Sequence, residues 1–232
     1  MIDLSKVSLK YDNKTTALND ISIKVDSGEF VFIVGASGAG KSSIIKLLLR
    51  EKVPTVGEVI VNGENIGKLK QRQIPIYRRK LGVVFQDFRL IPNMTVYDNV
   101  AFSLRVIDSS NEFIRNRVPY ILNLLGLEHK AKRYPHEISG GEQQRVALAR
   151  AIVNDPPIII ADEPTGNIDP ELSYEIVNLL QGINQCGTTI LMVTHEQDMV
   201  RYFGGRTITI DHGSVIFDGM IEPQEDAKEI KI

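Results

Sequence analysis

One segment of the sequence combines glycines, a lysine and a serine in a spacing that can surround phosphate groups. Gly35-Ala36-Ser37-Gly38-Ala39-Gly40-Lys41-Ser42 follows an apolar stretch at 29–34 and precedes a helical pattern at 42–50. Glycines let successive backbone N–H groups face phosphate oxygens, and a helix N-terminus adds positive charge. Lys41 would then contact the outer phosphates and Ser42 a Mg²⁺ ion. The predicted binding residues are Gly35, Ser37, Gly38, Ala39, Gly40, Lys41, Ser42 and Ser43.

Two other interpretations of this segment are weaker. A glycine-rich turn could simply connect a strand to a helix, but the whole pattern matches and its flanks are correct. A dinucleotide site calls for glycines in the order G-x-G-x-x-G, whereas here they run G-x-x-G-x-G. We therefore expect a phosphate loop.

A second segment places two acids at the end of an apolar run, Pro157-Ile158-Ile159-Ile160-Ala161-Asp162-Glu163-Pro164. Such a run indicates a buried strand whose carboxyl end reaches a site. We expect Asp162 to hold Mg²⁺ through water and Glu163 to polarise the attacking water as a general base. The acids could instead begin a solvated loop, but the phosphate loop upstream favours the catalytic interpretation.

A third segment predicts a second anion-binding helix start. Ser139, Gly140 and Gly141 supply a hydroxyl group and free backbone N–H groups just before the predicted helix at 142–154. The structural alternative is a good helix cap with no ligand. A chain with two phosphate-binding helix starts needs an explanation for the second one.

The elements that must position these residues alternate along the chain. Apolar periodicity predicts strands at 2–9, 17–25, 29–34, 57–61, 81–85, 157–161 and 188–193. It predicts helices at 42–50, 96–105, 111–125, 142–154, 170–184 and 195–203, then a hairpin turned at 211–213 and a frayed tail after Pro223. Alternating strands and helices imply a parallel sheet.

Composition excludes several classes of protein. The 232 residues include 27 basic and 29 acidic side chains, so no overall field favours nucleic acid. The single cysteine, Cys186, can form no internal disulfide. Apolar stretches fall far short of the roughly 20 residues that span a membrane, and the first residues lack the pattern of a secretory signal. We expect any membrane role to run through another protein.

The segment Ile138-Ser139-Gly140-Gly141-Glu142-Gln143-Gln144-Arg145 resembles the L-S-G-G-Q signature of the ATP-binding cassette family, with Ile for Leu and Glu for Gln. The resemblance extends from Met1 to about Gly219. It implies an α/β P-loop nucleoside triphosphatase, one nucleotide-binding domain over 1–232. This domain would have a mixed-sheet core, an N-terminal antiparallel β subdomain and a helical subdomain inserted at about 87–154.

The same resemblance explains the second helix start. In this family the nucleotide lies between the phosphate loop of one subunit and the signature of the other. It implies that the chain forms a head-to-tail homodimer on ATP binding, with Ser139, Gly140, Gly141 and Glu142 facing the partner's nucleotide.

Further positions match functional residues of the family. Gln86 resembles the glutamine that senses Mg²⁺ and the attacking water, in a loop that touches the membrane partner, and His195 resembles the histidine that contacts the γ-phosphate. Tyr11 resembles the aromatic residue that stacks on adenine, and Asn167 and Asp169 lie in the loop that links the two sites. Taken singly, Gln86 could be a surface amide, His195 a helix cap and Tyr11 a core residue.

Within the family, Gln86-Asp87-Phe88-Arg89 and Gly166-Asn167 resemble the FtsE family of bacterial cell-division ATPases. That resemblance implies an FtsX-like integral membrane partner, activation of septal peptidoglycan hydrolases, and a peripheral location on the cytoplasmic face of the membrane. Lipoprotein-releasing and macrolide-exporting cassettes share the Gly166-Asn167 pattern and remain alternatives.

Three alternatives come from other classes. Nucleic-acid repair ATPases share the signature but carry coiled coils, zinc modules or basic surfaces that this sequence lacks. A P-loop kinase has no use for Ser139-Gly140-Gly141. A binding or scaffold module with slow turnover could use the same residues.

Overall fold

A computed structural model describes residues 1–12 and 15–224, so most of the predicted tail after Pro223 lies outside the described residues. The strands are β1 (Ile2–Lys10), β2 (Thr16–Val25), β3 (Phe30–Val34), β4 (Val56–Val61), β5 (Glu64–Asn65), β6 (Leu81–Phe85), β7 (Ile158–Asp162), β8 (Thr189–Thr194), β9 (Gly205–Asp211) and β10 (Ser214–Ile221). The helices are α1 (Lys41–Leu48), α2 (Ile74–Arg78), α3 (Val96–Val106), α4 (Asn111–Leu124), α5 (Gly140–Ile152), α6 (Pro170–Gln185) and α7 (Gln197–Phe203).

These strands form two sheets. The smaller is antiparallel, with the order β2-β1-β4-β5. The larger has the order β10-β9-β3-β8-β7-β6, in which every pair is parallel except the terminal hairpin of β9 and β10. The mixed α/β architecture expected for a P-loop fold is confirmed.

Strand register brings the predicted chemistry to one edge of the larger sheet. Phe85 at the end of β6 pairs with Asp162 of β7, and Asp162 pairs with Val193 of β8. Val34 at the end of β3 pairs with Thr194. Because parallel strands end at the same edge, the residues that follow them converge there.

The core lies on both faces of the larger sheet, as alternation along β3 shows. Val31 and Ile33 belong to a cluster with α1 and the antiparallel sheet. Phe32 and Val34 belong to a second cluster with α3 to α7. Burying both faces explains why β3, β7 and β8 are almost continuously apolar.

The structure departs from the predicted elements in several places, of which three bear on the site and its surroundings. The short helix α2 was not predicted, and α5 begins two residues earlier than expected, because Ser139 is its N-cap. The last predicted helix begins at Gln197. Within the described residues, no helix has the length and apolar character needed to cross a bilayer.

Candidate functional site

The phosphate loop follows β3 and opens α1, as predicted. Gly38 and Gly40 have φ angles of 80° and 119°, a region that favours glycine. A Cβ atom at Gly40 would lie 2.7 Å from the carbonyl oxygen of Ala17, so the loop also needs glycine sterically. Lys41 is buried, and its Nζ donates to the carbonyl oxygens of Gly35 and Ala36 at 2.6 and 3.0 Å. The loop thus holds a buried cation beneath exposed backbone.

The loop's neighbouring side chains differ in accessibility. Ser37 and Ser42 are exposed, whereas Ala39 and Ser43 are buried. Ser43 Oγ lies 3.1 Å from the Tyr11 hydroxyl oxygen, so the predicted adenine-stacking residue reaches the start of α1. Lys52 Nζ lies 5.3 Å from the centroid of the Tyr11 ring. The ring is therefore beside the loop and already has a cation near it.

Asp162 and Glu163 at the end of β7 have different environments. Burial, and then the neighbouring charge of Glu163, raises the pKa of Asp162 above its ordinary value. Glu163 has a φ of 45°, which is uncommon outside glycine, and its N–H donates to the Val193 carbonyl at 2.9 Å. Glu163 therefore lies in a turn directly after β7, with its backbone held to β8.

Glu163 and His195 are brought together at this edge. Glu163 Oε2 lies 3.2 Å from His195 Nδ1. The Thr165 hydroxyl donates to Glu196 Oε1 at 2.7 Å, which ties the segment after β7 to the residue after His195. The carboxylate predicted to be the general base thus contacts the predicted phosphate-sensing histidine.

Gln86 lies against the loop that contains Asn167. A Cβ atom at Gly166 would lie 2.6 Å from Gln86 Nε2, and Asn167 Nδ2 donates to the Gln86 carbonyl at 2.8 Å. Beyond Gln86, the carbonyls of Phe88 and Arg89 accept hydrogen bonds from the Arg150 guanidinium. Burial lowers the pKa of Arg150. The Gln86 loop is therefore anchored to the loop after β7 and to α5.

The signature residues form a complete capping box at the start of α5. Ser139 Oγ accepts from the Glu142 N–H at 3.3 Å, and Glu142 Oε2 accepts from the Ser139 N–H at 2.9 Å. Glu142 also pairs with Lys130 at 3.0 Å. The Glu142 carboxylate therefore turns back onto its own helix, which is the helix cap that the sequence offered as the structural alternative for this segment.

The same signature packs on the loop after β7. A Cβ atom at Gly140 would lie 3.6 Å from the Asn167 carbonyl, and one at Gly141 only 2.3 Å from Leu172 Cδ1. Asp169 Oδ1 accepts from the Leu172 N–H and caps α6. Asn167 and Asp169 therefore have structural partners within this chain.

Sequence reasoning missed two residues, Arg150 and Gln144. Gln144 is fully buried on α5, where its Nε2 donates to the Pro164 carbonyl. A signal was available, because Gln144 falls on the helical face that continues with Ala147, Leu148 and Ala151. A polar residue at such a core position indicates a specific partner.

Comparison with known proteins identifies relatives over nearly the whole chain. The family model described as "ABC transporter" matches residues 18–166. The cell division ATP-binding protein FtsE of Bacillus subtilis is 48% identical over 94% of this chain and 96% of that protein. The FtsE protein of Streptococcus pneumoniae is 51% identical over 94% and 95%, and that of Escherichia coli K12 is 42% identical over 92% and 96%.

Solved structures of ATP-binding cassettes are also similar to this chain. A dimeric ATP-binding cassette in a post-hydrolysis state, bound to ADP and Pi, superposes with a TM-score of 0.86 at 36% identity, covering 97% of this chain and all of that one. A dimeric bacterial ABC transporter cassette has a TM-score of 0.86 at 37% identity over the same shares.

Proposed function

This chain belongs to the ABC transporter family of ATPases, and from that membership we propose that it hydrolyses Mg-ATP between two head-to-tail copies of itself. The observation that carries the proposal is the convergence of four strand ends. The phosphate loop follows β3, Gln86 follows β6, Glu163 follows β7, and His195 follows β8. We further propose that residues 87–154 form an inserted helical subdomain within one domain over 1–232.

The residues at this edge fit a Mg²⁺ ion. Burial and Glu163 both disfavour a charged Asp162, and a cation beside it would offset that cost. Among the described residues no cluster of three or more His, Cys, Asp or Glu could hold a metal. A single carboxylate with a hydroxyl and phosphate oxygens is the environment that Mg²⁺ takes in such sites. Ser42, Gln86 and Asp162 would hold the ion, which neutralises charge on the phosphates when bound.

The chain's own groups supply the remaining chemistry. Lys41 provides a buried positive charge at the loop. Backbone N–H groups at the start of α1 would bind the phosphates, apart from those of Ala39 and Ser43, which donate to the carbonyls of Ala36 and Gly40. Glu163 accepts the proton of the attacking water, and His195 orients the carboxylate and contacts the γ-phosphate. Tyr11 stacks on adenine beside the loop.

The second subunit completes each site. Ser139, Gly140, Gly141 and Glu142 begin α5, and Gly140 has open space for a phosphate oxygen, since its nearest neighbour is a carbonyl 3.6 Å from a built Cβ. ATP would bridge the phosphate loop of one copy and the signature of the other, and hydrolysis would remove the bridge. Asn167 and Asp169 lie between the two sites in this arrangement.

A groove of about 550 Å³ beside the Gln86 loop suits the membrane partner. Phe102 and Val106 of α3 are 39% and 40% exposed there. The groove is also lined by four arginines and, within the described part of the chain, by no carboxylate: Arg78, Arg79, Arg89 and Arg150. An apolar segment with acidic residues would complement this surface.

The relatives' names support a role in cell division. FtsE proteins of three bacteria are named for cell division, and we propose that this chain pairs with an FtsX-like integral membrane protein. It would lie on the cytoplasmic face of the membrane and couple hydrolysis to activation of septal peptidoglycan hydrolases.

Affinity purification from native membranes, with mass spectrometry, tests this partnership. An FtsX-like protein should copurify with the wild type and be lost with Phe102→Asp, which places a charge in the groove. Phe113→Asp, at a side chain 46% exposed on α4 and outside the groove lining, is the matched control and should retain it. Recovery of a lipoprotein-release or export permease would contradict the cell-division role and leave the ATPase proposal intact.

A further inference from the structure

Gln144 joins the signature helix to the turn that carries Glu163. It is fully buried one turn inside α5, and its Nε2 donates to the Pro164 carbonyl at 2.5 Å. Pro164 is itself buried and directly follows Glu163. One hydrogen bond thus connects the element proposed to touch the partner's nucleotide with the proposed general base of this copy.

The carbonyl oxygen of the Gln144 amide has no hydrogen-bond donor among the described residues. This atom, Oε1, is also inaccessible to solvent. Leaving a buried acceptor unpaired costs free energy, so a shift of α5 that supplied a donor would be stabilised. The amide is therefore placed where a small movement of the helix changes its bonding.

The surrounding contacts would transmit such a movement. After Gln144, α5 is fully buried at Val146, Ala147 and Leu148, so its packing favours displacement of the helix as one element over bending within it. The Glu163 turn is tied to β8 through Val193 and to Glu196 through Thr165. Gln144 supplies the tie between this turn and the signature helix.

We propose that Gln144 is a positioning residue for hydrolysis. When the signature of one copy binds the nucleotide held by its partner, Gln144 shifts Pro164 and sets the Glu163 carboxylate of its own copy toward the attacking water. The two nucleotide sites are thereby coupled through the interior of each chain. This inference rests on the proposed function.

Replacing Gln144 with methionine, which keeps length and removes the amide, tests the proposal in the full chain. Single-turnover hydrolysis of Mg-ATP should slow about tenfold or more, since misplacing a catalytic group is costly. In a Glu163→Gln background, the ATP concentration that gives half-maximal dimerisation should change by a much smaller factor than the hydrolysis rate. Asn184→Leu removes a side-chain amide that holds the Gly28 and Thr188 carbonyls, and as the control it should leave hydrolysis unchanged.

Comparing the effect on hydrolysis with the effect on dimerisation distinguishes a positioning role of Gln144 from general structural support. Wild-type hydrolysis in Gln144→Met, or a parallel loss of hydrolysis and dimerisation, would overturn the proposal. If that variant does not fold, Gln144→Leu, which also lacks the donor and is smaller, is measured in the same way. A wild-type chain that neither hydrolyses ATP nor dimerises with it would overturn the proposed function as well.

Discussion

His195 Nδ1 lies 3.2 Å from Glu163 Oε2, although the two residues follow different strands and are separated by a helix in the sequence. The contact exists because β7 and β8 are parallel neighbours in register, with Asp162 opposite Val193. It fixes the direction of a carboxylate whose backbone already has an unusual φ of 45°. The structure therefore joins the histidine and the glutamate in one contact, and we propose that they act together.

Removing the imidazole should affect hydrolysis more than ATP binding. We expect His195→Ala to lower kcat about a hundredfold, because Glu163 loses the neighbour that orients it. The affinity for ATP should fall much less, since the phosphate loop is intact. His129→Ala, at an exposed position outside the site, is the control. Steady-state ATPase and nucleotide-binding assays check this, and equal losses in both would contradict it.

Gly166 should be intolerant of a methyl group for a functional reason. A Cβ atom there would lie 2.6 Å from Gln86 Nε2, so Gly166→Ala must displace the Gln86 side chain. We expect slower hydrolysis with little change in thermal stability, because a partly exposed amide can move. Gly182→Ala on α6 has open space and should stabilise the helix by about 0.5–1 kcal/mol without affecting hydrolysis. Normal turnover in Gly166→Ala would remove Gln86 from its assigned role.

Arg150 should hold the Gln86 loop in place. Arg150→Met deletes hydrogen bonds to the carbonyls of Phe88 and Arg89, at an expected cost of about 2 kcal/mol in the free energy of unfolding. Amide hydrogen exchange should also accelerate across residues 86–92. The exposed Arg201 is the control, and Arg201→Met should cost at most about 0.5 kcal/mol. Unchanged exchange in the loop would contradict the anchoring role.

Glu142 should make the signature helix sensitive to acid. The Ser139 backbone N–H, assisted by Lys130, holds the pKa of Glu142 below its ordinary value. A carboxylate with a lowered pKa in the folded state stabilises it above the ordinary pKa, near 4.3, and loses that effect as the pH falls through the folded value. Wild type should therefore be more stable than Glu142→Gln at pH 7, and the difference should shrink below about pH 4.3. Urea denaturation across this pH range measures the stability difference between the two proteins. A difference that does not depend on pH would contradict the prediction.

The strand ends and the glycine segments could be predicted because they depend on local sequence. An apolar run followed by Asp162 and Glu163 can end at a parallel sheet edge, and Gly38 and Gly40 have the backbone angles that their residue type favours. The short helix α2 could not be predicted, because its segment 70–80 is basic and polar and contains Pro75. Its position is set by tertiary contacts, including the hydrogen bond from the Tyr77 hydroxyl to the Leu48 carbonyl.

Contacts between distant segments also could not be predicted from periodicity. Gln144 and Pro164 are 20 residues apart, and Arg150 and Arg89 are 61 apart. These bonds depend on how α5 lies against β6 and the turn after β7. For Ser139 and Glu142, the capping box joins residues three positions apart and could be predicted from the sequence. A contact with the nucleotide of a partner chain depends on assembly and could not be predicted from periodicity.

The most direct test of the central claim mixes two inactive variants. Lys41→Ala removes the cation of the phosphate loop, and Gly140→Glu places a negative charge at the signature, where a Cβ atom is tolerated and an acid suits the helix N-terminus. Each variant alone should hydrolyse almost no ATP.

In an equal mixture, half the dimers contain both variants, and each has one intact site built from two chains. We predict ATPase activity clearly above that of either variant alone, with a ceiling of about a quarter of the wild-type rate per chain; the Gln144 coupling proposed above lowers the rate below this ceiling, because the Glu163 of the intact site belongs to the chain with the altered signature. Sites contained within single chains would leave the mixture as inactive as its components, and that result would contradict the head-to-tail account.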